Sequence, residues 1–137
     1  MVPAPKPSGT PAPLSSPWLL SVNAALGGTV VAVGAWLVGN ALPLSTAAAA
    51  FVMATTFLWW YGRTITLIWA WSTLLLGVEC FAWPIATMLQ FHSAGGEPSE
   101  EEMGTILSAT LMGLFSAVFW IAFSYGLFKR AKAGPER

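Results

Sequence analysis

The chain has 137 residues, of which 55% are hydrophobic and 9% are charged, against about 25% charged in an ordinary soluble domain. So few charges cannot clothe a water-soluble fold of this size, and apolar surface on this scale faces lipid or other subunits. Six Lys/Arg offset six Asp/Glu, which leaves no basic patch for nucleic acid. One cysteine rules out an internal disulfide and a CxxC site, and one histidine builds no metal cluster alone.

Residues 1–16 carry five prolines and one lysine. They lack the apolar core of a signal peptide and the arginines of a transit peptide, so they read as a retained, extended arm favouring polyproline II.

The first span is expected over 17–38. Ser16 suits the N-cap and Pro17 the first helical position, where a missing N–H costs nothing. Gly39-Asn40, with Pro43 beyond, ends it. The second span covers 43–61, with alanines 47–50 and a terminal Trp59-Trp60-Tyr61, and Gly62-Arg63 forms a tight hairpin. The third, 64–91, is about 40 Å long and exceeds a hydrocarbon core of about 30 Å, so it tilts, protrudes, or kinks at Pro84. His92 to Gly96 breaks it. Ser99-Glu100-Glu101-Glu102 is a capping box whose acids suit the positive end of the fourth helix, 100–128. A basic tail, 131–137, completes the chain.

Lys6, Arg63, Lys129, Arg130, Lys132 and Arg137 all fall on one side of such a four-span chain, and the other side holds none. The positive-inside rule then places both termini in the cytoplasm and loop 92–99, with Glu97, in the periplasm of a bacterial inner or intracytoplasmic membrane, or an equivalent organelle compartment. Trp18, Trp59, Trp60, Tyr61, Tyr125 and Phe128 would line the basic-side interface. The expected fold is an all-α integral membrane protein, four transmembrane helices in an antiparallel up-down bundle.

Within the spans, Glu79 stands out, since an intramembrane carboxyl marks a functional site by default. At 1.5 Å per residue it lies about 24 Å beyond Arg63, in the outer third of the bilayer. No Lys or Arg reaches that depth, so the carboxyl is expected to keep its proton and to bond a hydroxyl at matching depth, Ser108 or Thr110. Cys80 reads as a small apolar filler, because nothing electropositive surrounds it. His92 reads as an ordinary interfacial residue, with a pigment or metal contact as the alternative.

Two stripes of small residues, Ala24/Gly28/Ala32 and Ala109/Gly113/Ala117, suit tight helix–helix seams. Eight tryptophans are many for this length. Trp36, Trp69, Trp71, Trp83 and Trp120 exceed what interface belts need, and could meet lipid, a neighbouring subunit or a flat cofactor such as a quinone or chlorin.

No pair of positioned acid–base groups is legible within the spans, so no enzyme and no intrinsic cofactor is expected, only bound lipid and a quinone or chlorophyll-type pigment at a subunit interface. The favoured function is a non-catalytic accessory subunit of a larger membrane complex, photosynthetic or respiratory. The alternative is a small proton- or cation-coupled transporter using Glu79, which with four spans would have to be a homo-oligomer.

Overall fold

The computed structural model describes residues 16–39, 43–93 and 99–134. The expected arm up to residue 15, Asn40 in the first turn, Glu97 and the rest of 94–98, and the last three residues lie outside the described residues. Four helices make up the structure: α1 (Pro17–Val38), α2 (Leu44–Tyr61), α3 (Ile65–Ser93) and α4 (Glu100–Ala133). All four are long and apolar enough to cross a membrane, the pattern of a multi-pass membrane protein.

Local chemistry sets the helix ends. Pro17 opens α1, and the Ser16 carbonyl accepts from the Leu19 and Leu20 N–H groups at 2.8 and 3.2 Å. The Ser16 hydroxyl makes no capping bond; the proline has already removed one donor, so less is left to cap. At α4 both halves of the capping box form. Glu102 N–H donates to Ser99 Oγ at 3.3 Å, and Ser99 N–H donates to Glu102 Oε2 at 2.7 Å. Two helices outrun their expected ends. His92 and Ser93 still belong to α3, and α4 carries Lys129 through Ala133 as helix. Lys, Arg and Ala are strong helix formers, and the cations suit the negative end of the dipole.

Hydroxyls inside the helices mostly bond backward to their own turn, among them Ser72 to Ile68 O at 2.9 Å and Thr110 to Ile106 O at 2.8 Å. In a medium without water this satisfies the group locally.

The helices pack unevenly. α1 meets both α2 and α3, α2 barely touches α3, and α4 packs on α3 and on neither α1 nor α2 among the described residues. Ala24, Leu58 and Ile68, from three helices, form a small core with Leu20, Phe57 and Trp71 around it. Gly62 turns the chain beside that core; a Cβ there would run into the Ile68 side chain and the Leu58 carbonyl.

The register of α1 on α3 is set by its contacts. Asn23 meets Trp69, Gly27 faces Ser72, and Gly34 faces Glu79. Carried forward, that register sets Val38, the end of α1, level with Trp83 and Pro84. α4 comes alongside the same point at Gly113, which lies against Cys80 O and Pro84. The rest of α3 up to Ser93, and α4 from Glu100 to Met112, therefore run on past the ends of α1 and α2, by about 13 Å on the α3 side. The exposed residues of this extension include Ile85, Met88, Leu89, Met103 and Leu107.

Candidate functional site

Glu79 sits on the face of α3 turned toward α1 and α2. Its Oε2 packs against Gly34, where a hydrogen in place of a side chain leaves room for the carboxyl, with Leu76 alongside. That oxygen is buried and has no hydrogen-bond partner among the described residues. Glu79 also lines a groove of about 280 Å³ with Val31 and Ala35 of α1, Met53 and Phe57 of α2, and Leu75 of α3. The groove exists because α2 leans on α1 and meets α3 only sparsely.

The expected bond from Glu79 to Ser108 or Thr110 does not form. Those residues belong to α4, which packs on α3 but does not meet the α1 and α2 residues around the carboxyl. Ser108 is exposed, and the Thr110 hydroxyl donates to its own helix at Ile106 O, 2.8 Å away. Matching depth was legible in the sequence, but the face of α3 that each neighbour occupies was not. A second orphan lies on α2: Thr55 Oγ1 is buried against Gly28 without a partner among the described residues.

Both small-residue stripes lie at helix contacts. Ala24, Gly28 and Ala32 are buried on α1, with Gly28 against Thr55. Ala109, Gly113 and Ala117 are buried on α4. Gly113 lies close against the α3 backbone, since a Cβ there would stand 2.8 Å from both the Cys80 carbonyl oxygen and Pro84 Cδ. Proline has no N–H to offer the carbonyl four residues back. The Cys80 carbonyl thus loses its usual intrahelical donor where the α4 backbone comes close, an arrangement suited to a Cα–H···O contact. The Cys80 thiol is free and half-buried.

His92 is exposed on the last turn of α3. Among the described residues no cluster of three metal-ligating side chains forms. The tryptophans divide by role. Trp71 lies among Phe57, Tyr61 and Phe128, with ring centroids at 5.3, 6.2 and 5.2 Å. Trp120 contacts Phe119 and Phe123 on its own helix. Trp36 and Trp83 stay largely exposed.

Two polar links between helices are not evident from the sequence. Trp69 Nε1 donates to Asn23 Oδ1 at 3.0 Å, joining α3 to α1, while Asn23 Nδ2 donates to Leu19 O at 2.8 Å. Ser124 Oγ, fully buried, donates to Ala70 O at 2.8 Å and joins α4 to α3. The available signal was the residue type itself: an Asn or Ser within a span lowers its cost by bonding across helices.

With this geometry in hand, comparison with known proteins finds no matching protein-family model, no matching curated sequence and no matching solved structure.

Proposed function

We propose that the chain is a non-catalytic accessory subunit of a larger membrane complex, held in place by the extension of α3 and α4. The four helices alternate in direction, as the order of their contacts supports. The gathering of Arg63, Lys129, Arg130 and Lys132 at one end supports a cytoplasmic location for both termini and a periplasmic one for the acidic end.

From Thr64 to Pro84, α3 spans about 30 Å, the full hydrocarbon thickness. The remainder of the helix pair stands beyond the bilayer and presents Ile85, Met88, Leu89, Met103 and Leu107 outward. Apolar side chains outside lipid call for cover, and five of them exposed on one extension of the helix pair mark a protein contact. This is the observation that carries the reading. An energy-transducing assembly, photosynthetic or respiratory, is the proposed setting. There Trp36 and Trp83, exposed on the same half of the molecule, would meet a neighbouring subunit or its quinone or chlorophyll-type pigment.

Photo-crosslinking from Leu89 and Met103 in the native membrane tests it, with Val52 on the exposed face of α2 as the lipid-facing control. Protein adducts of one size from the first two positions and lipid adducts from the third are expected. Lipid adducts from all three, with recovery of the chain as a lone monomer, overturn it.

A second reading rests on the orphaned carboxyl oxygen of Glu79 beside its groove. A titrating carboxyl in such a place suits a small proton- or cation-coupled transporter built from two or more copies. Glu79→Gln should then abolish coupled uptake into proteoliposomes and leave the oligomer intact; uptake unchanged by the substitution removes this reading.

A further inference from the structure

Two hollows adjoin where the start of α3 passes the end of α4. The outer one, about 710 Å³, is lined by Thr64, Thr66, Lys129 and Arg130. The inner one, about 370 Å³, is lined by Ile65, Trp69, Phe123 and Leu127. Thr66 and Arg130 border both, so a basic, hydroxyl-lined mouth leads into an apolar slot. The slot stays open because α1 reaches α3 through Asn23 and Trp69 but does not meet α4 among the described residues.

Among the described residues nothing opposes the charges at the mouth. Among the described residues the acids are Glu79 and Glu100 to Glu102, and the latter stand at the far end of α4, about 40 Å from Lys129. No ion pair engages Lys129 or Arg130 among the described residues, and the Thr66 hydroxyl makes no hydrogen bond there.

We propose that this cleft binds an anionic phospholipid. The phosphate lies between the Lys129 ammonium and the Arg130 guanidinium, whose planar fork matches two phosphate oxygens, and the Thr64 and Thr66 hydroxyls donate to the remaining ones. One acyl chain descends the slot along Trp69, Phe123 and Leu127. Charge complementarity selects the headgroup, and the apolar continuation selects a lipid over a free phosphate. A zwitterionic lipid brings its own cation to the same basic mouth and gains less.

The full-length chain in nanodiscs of equal phosphatidylglycerol and phosphatidylcholine, analysed by native mass spectrometry, tests the assignment. The retained lipid should favour phosphatidylglycerol by roughly thirtyfold, the scale of two basic side chains at a membrane surface. K129Q/R130Q should abolish the preference. Leu127→Trp, which fills the slot and leaves both charges, should abolish retention, and Lys132→Gln, outside the lining of the cleft, should change nothing. An unfolding titration in mixed micelles with the parent's midpoint, beside an identical far-ultraviolet circular dichroism spectrum, shows that each variant is folded. Equal retention of the two lipids overturns the proposal. So does a preference that survives K129Q/R130Q or Leu127→Trp, and so does displacement of the lipid by inorganic phosphate at equal concentration.

Discussion

Gly113 of α4 and Pro84 of α3 fit together as backbone against ring: a Cβ at Gly113 would stand 2.8 Å from Pro84 Cδ. Neither partner can yield cheaply, since one is main chain and the other a closed ring in the middle of a helix. This contact lies where α3 and α4 outlast their neighbours, and it fixes the spacing of the pair as they do so.

Gly113→Ala should therefore destabilise the protein by about 1–3 kcal/mol, the usual cost of overfilling a packed site. Gly104→Ala and Gly126→Ala, with open space around each Cβ position, should be neutral or stabilising by up to about 1 kcal/mol through helix propensity. Unfolding titrations in mixed micelles separate the two outcomes; equal effects at all three glycines would refute the close-approach account.

Removing the Ser124 hydroxyl should cost about 0.6 kcal/mol and no more than about 1.7 kcal/mol, the range for hydrogen bonds between membrane helices. A double-mutant cycle of Asn23→Ala with Trp69→Phe should show coupling of similar size. No coupling would mean that the α1–α3 link contributes nothing beyond its packing.

Glu79 stands apart from these residues because its buried oxygen has no partner among the described residues. Glu79→Leu should raise stability by about 1–3 kcal/mol, the cost of an unsatisfied buried polar group. Glu79→Gln, which keeps an unpaired polar oxygen, should stay close to the parent. A fall in stability with leucine would show that the carboxyl is anchored in the folded chain.

The cap of α4 offers an independent measurement. Ser99→Ala removes the acceptor for Glu102 N–H and should cost about 1 kcal/mol. Hydrogen exchange should quicken at Glu101, Glu102 and Met103 and stay unchanged at Ala109 onward; protection unchanged at Glu102 would contradict the capping role.

Features set by local chemistry were legible in the sequence. Pro17 opening α1, Gly62 closing α2 and the Ser99/Glu102 box opening α4 depend only on nearby residues. The helical continuation through Ala133 was not, because membrane thickness sets only a minimum length and helix propensity carries α4 past it. The environment of Glu79 was not legible either, since periodicity places residues on faces of a helix without saying which neighbour covers each face. Ser108 shared its depth and Gly34 shared its side, and only folding distinguishes them. The same limit hid Ser124, whose partner at Ala70 lies 54 positions away.

The attachment of α4 to α3 alone has a consequence for how the molecule comes together in time. The chain divides at Gly62 to Thr64 into a leading and a trailing helical hairpin. Each can enter the membrane with its backbone bonds already closed, as two-stage assembly requires. The halves then meet chiefly along one line, α1 on α3, where Asn23, Gly27 and Gly34 lie. A fault on that line would leave two intact hairpins that fail to dock, a defect visible in assembly and silent in helix content.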